Sequence, residues 1–275
     1  MSESQMINTL ANVKHIVAVA SGKGGVGKST TAINLALALA KTGAAVGILD
    51  ADIYGPSVQM MLGVAPDTKP QVENGSYFRP IEAHGLKSMS MGYLASDQTP
   101  MVWRGPMAGS ALVQMLTQTL WGELDYLVVD MPPGTGDIQL SLSQKANLSG
   151  AVIVTTPQDI ALLDARKGIE MFAKVNVPII GIVENMATHT CSSCGHEEPV
   201  FGEGGGDKVA KEYKTTLLGS LPLKRAIREQ VGSGSPSVVA DPDSAESQRY
   251  LEIAQRVAAV LEHAGGNQMP QIEIS

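Results

Sequence analysis

The stretch at positions 22–30 constrains the fold more strongly than any other part of the sequence. It carries glycine at positions 22, 24, 25 and 27, and Lys28 and Ser29 follow directly. Glycines let successive backbone N–H groups turn inward around phosphate oxygens, and a helix that begins here adds the positive end of its dipole. The sequence therefore predicts a phosphate cradle between a strand and a helix, formed by Gly22, Lys23, Gly24, Gly25, Val26, Gly27, Lys28, Ser29 and Thr30.

Two side chains of this cradle have predicted roles of their own. Lys28 is expected to lie against the β- and γ-phosphates of a nucleotide. Ser29 is expected to offer its hydroxyl group to Mg²⁺, the hard cation that ATP requires. A glycine-rich turn that binds nothing is the alternative. The strand predicted before the glycines and the Ala/Leu-rich helix predicted after them favour an ATP site.

Two kinds of apolar segment alternate along the chain. Short β-branched runs predict strands at 15–20, 45–50, 86–91, 126–130, 151–155, 179–185 and 217–221. Helical spacing of apolar residues predicts helices at 28–41, 106–120, 138–145, 160–175 and 244–263. The alternation predicts an α/β fold, a doubly wound and mostly parallel sheet covered on both faces. We expect one P-loop ATPase domain at 15–263, between an N-terminal extension at 1–14 and a flexible tail at 264–275.

Charge and hydropathy argue against several classes of partner. The net charge of −7 comes without a long acidic or basic run, so neither nucleic acid nor anionic lipid is an expected partner. The N-terminus lacks the layout of a signal peptide, and no apolar run reaches the roughly 18 residues of a membrane span. We therefore expect a cytoplasmic protein without membrane contact.

Two regions interrupt the strand and helix pattern. The region 63–85 contains an Asn-Gly dipeptide and prolines, which predict a hairpin or loop excursion without assignable chemistry. The region 188–206 contains both cysteines, two histidines and several glycines, so it is predicted to be a long surface loop rather than a regular element. Loops of that length within a domain usually carry function.

Acidic residues stand at the ends of two predicted strands. Asp130 ends an apolar strand, an arrangement that delivers one carboxylate to the water shell of Mg²⁺. An ordinary turn residue is the alternative for Asp130. Asp50 and Asp52 end the second strand, where a carboxylate can also serve as a helix cap.

Lys23 lies inside the glycine loop, where most such loops carry no charge. The pattern Lys-Gly-Gly-Val-Gly-Lys-Ser resembles the deviant Walker A family of ATPases, the MinD/ParA-like superfamily. The resemblance implies that Lys23 reaches across a homodimer to the partner's nucleotide and, with Lys28 and Asp52, is catalytic. It also implies that Asp52 lies in the first switch segment and orients the attacking water, and that Asp50 nearby supports this segment and the metal ion. Asn185 is implied to contact the adenine edge. A solvated Lys23 and a plain turn asparagine are the alternatives.

The spacing Cys191-Ser192-Ser193-Cys194 is a weak signal by itself, because two thiolates do not complete a four-ligand site. Together with the motifs at 50–57, at 130–137 and at 185–186, it resembles the Mrp family, also called ApbC, of iron–sulfur cluster carrier ATPases. The resemblance implies that Cys191 and Cys194 of two subunits hold one [4Fe–4S] cluster at the interface. Implied partners are apo iron–sulfur proteins and cluster donor proteins. The short N-terminus implies that the small extra domain of some relatives is missing.

Three alternatives to this interpretation remain at the level of sequence. A zinc ribbon could use His189 or His196 as further ligands, although a second Cys pair is missing. A thioredoxin-like redox pair would be expected at the start of a helix rather than within a loop. A MinD/ParA-like positioning ATPase that binds membranes would be expected to end in a basic amphipathic helix, unlike residues 268–275.

Overall fold

The computed structural model describes residues 7–94, 105–191 and 193–266. Its strands are β1 (Val13–Ala20), β2 (Val46–Asp50), β3 (Val72–Glu73), β4 (Tyr77–Phe78), β5 (Ile81–Ala83), β6 (Leu86–Ser90), β7 (Leu124–Asp130), β8 (Gly150–Thr155), β9 (Ile179–Glu184), β10 (His189–Thr190), β11 (Glu197–Glu198) and β12 (Leu217–Ser220). Its helices are α1 (Lys28–Lys41), α2 (Val58–Met61), α3 (Met91–Leu94), α4 (Gly105–Gln118), α5 (Asp137–Lys145), α6 (Asp159–Lys174), α7 (Gly205–Glu212), α8 (Arg225–Gly232), α9 (Ser237–Ala240) and α10 (Ala245–Gly266).

The central sheet has eight strands in the order β12-β9-β8-β1-β7-β2-β6-β5. Neighbouring strands run parallel throughout, except that β5 pairs antiparallel with β6 at one edge. The doubly wound, mostly parallel α/β fold predicted from the sequence is therefore confirmed. The carboxyl ends of β1, β2, β7, β8 and β9 meet at one edge, which is where α/β sheets bind their ligands.

Burial on both faces explains why these strands consist of almost unbroken apolar runs. In β1, Ile16 and Ala18 pack on one side of the sheet, whereas Val17 and Val19 pack on the other. The first side is covered by apolar residues of α4, α5 and α6, and the second by residues of α1 and α10. A strand with two buried faces has no polar alternation, because neither face meets water.

The predicted strands and helices of the domain all occur, with ends that differ by three residues at most. Helix α10 continues to Gly266, so the first three residues of the predicted tail are helical, and 267–275 lie outside the described residues. Of the predicted N-terminal extension, residues 1–6 also lie outside, and Val13 already belongs to β1. The short helices α2, α3, α7, α8 and α9 and the edge strand β5 were not predicted.

The hairpin predicted within 63–85 is present. Asn74 and Gly75 have φ values of 50° and 74° and connect β3 to β4. Positive φ at both positions is the geometry that Asn-Gly favours in a tight turn, and Ser76 completes a three-residue connection between the paired residues Glu73 and Tyr77.

The prediction that 188–206 lacks regular elements was wrong. Strands β10 and β11 form a short antiparallel hairpin within it, and α7 begins at Gly205. Strands of two residues are too short to produce a periodic pattern, which explains the miss. Across the ranges that the structure describes, no helix has both the length and the apolar character that crossing a membrane requires.

Candidate functional site

The glycine loop lies between β1 and α1, as the sequence predicts. Gly25 and Gly27 have φ values of 81° and 83°, a conformation that side chains other than glycine rarely adopt. A Cβ at Gly22 would lie 1.9 Å from the backbone carbonyl oxygen of Asp164 in α6. The loop is therefore closely packed against α6 and can keep this shape only with glycine at position 22.

Lys28 and Asp130 form a buried ion pair beneath this loop. The Nζ atom of Lys28 lies 2.5 Å from Oδ1 of Asp130, and the two side chains are 6% and 0% exposed. Lys28 Nζ also lies 3.2 Å from Oγ of Ser29. The structure thus brings together the three residues that the sequence assigns to phosphate and Mg²⁺.

The second carboxylate oxygen of Asp130 has no hydrogen-bond partner, although it is buried. Burial raises the pKa of Asp130, and the nearby Lys28 ammonium opposes that rise. A buried acceptor without a partner costs free energy, which a hydrated cation at the phosphates would recover. The donor set of Ser29 and Asp130 therefore fits Mg²⁺ with its retained waters.

Asp50 is fully buried at the end of β2 and is held by the segment that follows it. Its carboxylate accepts hydrogen bonds from the backbone N–H groups of Ser57 at 2.9 Å and Val58 at 3.1 Å, and from the hydroxyl group of Ser90 at 3.0 Å. Burial and the neighbouring Asp130 charge raise its pKa to about 7. Asp50 thus anchors the chain between β2 and α2.

Asp52 lines a larger cavity of about 800 Å³. Its carboxylate accepts a hydrogen bond of 3.2 Å from the backbone of Gly55, and Tyr54 next to it is exposed. The opposite walls are formed by α4, by α5 and by Pro132 and Pro133, which follow Asp130. The side chain is therefore anchored only lightly and faces open space, as an activator of water requires.

Asn185 contacts the glycine loop directly. Its side-chain amide donates a hydrogen bond of 2.8 Å to the carbonyl oxygen of Val26. A Cβ at Gly27 would lie 2.1 Å from the same amide nitrogen, so glycine is needed there as well. The sequence linked Asn185 to the adenine edge, and that role remains a prediction.

The two cysteines are free and sit on the turn between β10 and β11. Cys191 is half-buried and Cys194 is exposed. The backbone N–H groups of Ser193 and Cys194, followed by the Cys194 side chain, hold the pKa of Cys191 below its ordinary value. A lowered pKa favours the thiolate, which is the form that binds metal. We call β10, β11 and these two cysteines the cysteine hairpin.

The zinc alternative required further ligands close to the cysteines. Within the described part of the chain, no group of three or more His, Cys, Asp or Glu residues is placed to hold a metal ion. His189 instead lies 4.0 Å from the carboxylate of Glu198 across the hairpin. One chain therefore offers two thiolates and an incomplete site.

Sequence reasoning missed several residues around the loop. Thr156, Gln158, Met186 and Phe201 line a cavity of about 170 Å³ together with the loop residues Lys23, Gly24, Gly25 and Val26. Gln139 of α5 donates hydrogen bonds to the carbonyl oxygens of Pro132 and Pro133. Thr156 and Gln158 could have been predicted to line the site, because they are polar residues that directly follow β8. Nothing in the sequence marks Phe201.

Comparison with known sequences places the chain in a family. A model of the ParA family, described as NUBPL iron-transfer P-loop NTPase, matches residues 12–258. An iron–sulfur cluster carrier protein of Pseudomonas fragi is 65% identical over 89% of this chain and 85% of its own length. The iron–sulfur cluster carrier protein of Escherichia coli K12 is 61% identical over 90% of this chain and 67% of its own. The iron–sulfur cluster transfer protein NUBPL of Mus musculus is 51% identical over 92% and 79%.

Solved structures agree with these matches. A nucleotide-binding protein of Archaeoglobus fulgidus in complex with ADP has a TM-score of 0.73 and 35% identity, over 87% of this chain and 96% of that one. The cell division ATPase MinD of Pyrococcus furiosus has a TM-score of 0.66 at 24% identity, over 90% and 100%, which supports the fold alone. The phosphate loop, the buried acidic strand ends and these matches together show that the chain belongs to the ParA family of P-loop NTPases, in its NUBPL iron-transfer group.

Proposed function

We propose that this chain is an ATP-dependent carrier of iron–sulfur clusters, which binds a [4Fe–4S] cluster across a homodimer and transfers it to apo-proteins. The observation that carries the proposal is the direct connection between two sites. Asn185 hydrogen-bonds the phosphate loop, and six residues later Cys191 presents the first thiol of the cysteine hairpin. Nucleotide and cluster would therefore bind to parts of the chain that a segment of six residues connects.

The nucleotide end of the proposal rests on the buried groups below the loop. Gly22 to Thr30 would cradle the phosphates of ATP, Lys28 would contact the β- and γ-phosphates, and Asp52 would orient water for hydrolysis. Ser29 and Asp130 would hold Mg²⁺, which supplies positive charge to the phosphate oxygens. Asp50 would act through the segment that it anchors rather than on the nucleotide itself.

The cluster end rests on ligand number. Each chain has two cysteines, and a cubane cluster takes four thiolates, so two chains are needed for one cluster. Exposed Lys23 at the rim of the loop is suited to reach the nucleotide of a second copy. The same two-fold axis would then bring two cysteine hairpins together.

Partners and compartment follow from this chemistry. A cluster held at an exposed turn can be handed to apo iron–sulfur proteins, and a donor protein has to supply it. Two free thiols without a disulfide are suited to a reducing compartment such as the cytoplasm.

Anaerobic reconstitution with iron and sulfide tests the proposal. We expect a broad visible thiolate-to-iron absorption, loss of that absorption when an apo iron–sulfur protein is added, and activation of that acceptor. ATP hydrolysis is measured on the same sample. Bound zinc without visible absorption, or a cluster that cannot be transferred, would contradict the carrier function.

A further inference from the structure

The chain segment that bears the cysteine hairpin begins at the nucleotide loop and also returns to it. It leaves β9 through Asn185, which holds Val26, and through Met186, which has a φ of 57°. It returns through Phe201, which lines the 170 Å³ cavity beside the loop residues Lys23 to Val26. Both ends of the excursion therefore border the same cavity beside the loop.

Neighbouring contacts fix where the returning chain lies. The backbone N–H of Gly206 donates a hydrogen bond of 2.7 Å to the buried carboxylate of Glu184, the last residue of β9. A Cβ at Gly202 would lie 3.7 Å from the carbonyl oxygen of Pro157, so this part of the chain also packs on the turn after β8. Phe201 lies one residue before that contact and is half-buried, whereas Val200 before it is 55% exposed.

The cavity beside Phe201 is lined by a buried polar group without a hydrogen-bond partner. Thr156 lines it and is only 4% exposed, yet its hydroxyl group has no hydrogen-bond partner. A buried hydroxyl group without a partner costs free energy, which a ligand or a rearrangement that supplies a partner would recover. Phosphates bound inside the loop would hold the wall formed by residues 23–26 in place, because backbone N–H groups of the loop would then donate to the phosphate oxygens.

We propose that Phe201 is a positioning residue that couples nucleotide binding to the cysteine hairpin, an inference that rests on the proposed carrier function. When nucleotide fixes residues 23–26, the wall of the cavity that they line together with Phe201 becomes rigid, and the returning chain is held in place. The hairpin then opens less often, and the half-buried Cys191 is less accessible, whereas Cys194 is exposed in either case. By reciprocity, whatever holds the hairpin also tightens nucleotide binding by the same factor.

Alkylation of the metal-free protein by iodoacetamide measures this coupling without any cluster. In the wild type, saturating MgADP is expected to slow alkylation of Cys191 by about fivefold or more, with the exposed Cys194 as the internal reference. In Phe201→Ala the rates with and without MgADP should be nearly equal, while MgADP still binds. Val200→Ala changes the exposed neighbour and should keep the wild-type ratio. A wild-type ratio in Phe201→Ala, or no MgADP effect in the wild type, would overturn the inference.

A second variant covers the case in which Phe201→Ala disturbs the hairpin itself. That disturbance would appear as faster alkylation in the absence of nucleotide. Met186→Ala then tests the coupling separately, because it alters the wall of the 170 Å³ cavity on the side of the nucleotide loop and leaves Phe201 in place. If Met186→Ala has nearly equal alkylation rates with and without MgADP, and its rate without MgADP is that of the wild type, the coupling is supported. If MgADP slows its alkylation as much as in the wild type, the coupling is overturned. Since no iron is present, the result stands apart from success or failure of cluster reconstitution.

Discussion

Lys28 and Asp130 form an ion pair in which Lys28 Nζ lies 2.5 Å from Asp130 Oδ1 and both side chains are buried. The ammonium group proposed to contact phosphate and the carboxylate proposed to hold Mg²⁺ thus contact each other. Binding of MgATP would replace this contact by separate contacts to phosphate and to the hydrated cation. The pairing keeps each of the two charges from being buried alone.

Replacing Lys28 by alanine is therefore expected to affect stability as well as activity. ATP hydrolysis should disappear, and the free energy of unfolding should fall by about 3 kcal/mol because Asp130 is left buried without a partner. The double variant Lys28→Ala/Asp130→Asn should regain much of that stability and remain inactive. Denaturant unfolding and phosphate release measure the two effects. Normal turnover in Lys28→Ala would contradict the site assignment.

Asp52→Asn separates hydrolysis from binding. The Asp52 carboxylate accepts a hydrogen bond from the backbone of Gly55 and lines the open cavity, so its replacement by asparagine should disturb the fold little. We expect MgATP to bind nearly as well as in the wild type, while the single-turnover rate of hydrolysis falls about a hundredfold. If affinity collapsed and bound ATP were still cleaved at the normal rate, Asp52 would belong to binding.

Asp50 predicts a particular pH dependence of stability. Its folded-state pKa of about 7 lies above the ordinary value of 3.8, so the folded protein holds a proton that the unfolded chain releases between those values. Stability from this group is present at low pH and is lost as pH rises from about 4 to about 7, by at most about 1.4 kcal/mol per pH unit. The difference in unfolding free energy between wild type and Asp50→Asn should change across this window. A difference that is independent of pH would rule out the raised pKa.

Gly22 and Gly24 form a matched pair for testing the loop. A Cβ at Gly22 would collide with the backbone of Asp164, whereas a Cβ at Gly24 meets nothing within 4 Å. Gly22→Ala should therefore shift the loop from α6 and weaken MgADP binding by about tenfold, equal to 1.4 kcal/mol. Gly24→Ala should bind MgADP nearly as the wild type does. Calorimetric titration of both variants measures this, and equal affinities would contradict the packing argument.

The sequence predicted the parts of the molecule that one local pattern determines. Fully buried strands such as β7 read as apolar runs, and the Asn74-Gly75 turn follows from positive φ at both residues. Glycine spacing located the phosphate loop in the same way. Each of these features depends on residues that are neighbours in the chain.

Features that depend on contacts between distant segments could not be predicted in this way. The raised pKa of Asp50 results from burial and from Asp130, eighty positions away in sequence. The contact between Asn185 and Val26 joins β9 to the loop after β1, and Phe201 reaches the same place only through the fold. Residue types and their spacing do not indicate which distant segments come into contact in the fold.

Native mass spectrometry of the anaerobically reconstituted protein tests the central claim most directly. The account predicts a species of two chains that carries one [4Fe–4S] cluster, hence about four iron atoms per two chains. Cys191→Ser and Cys194→Ser should give species without a cluster that still bind MgATP, because the hairpin lies outside the phosphate loop. A single chain that holds one zinc ion, or a full cluster retained by either serine variant, would contradict the account.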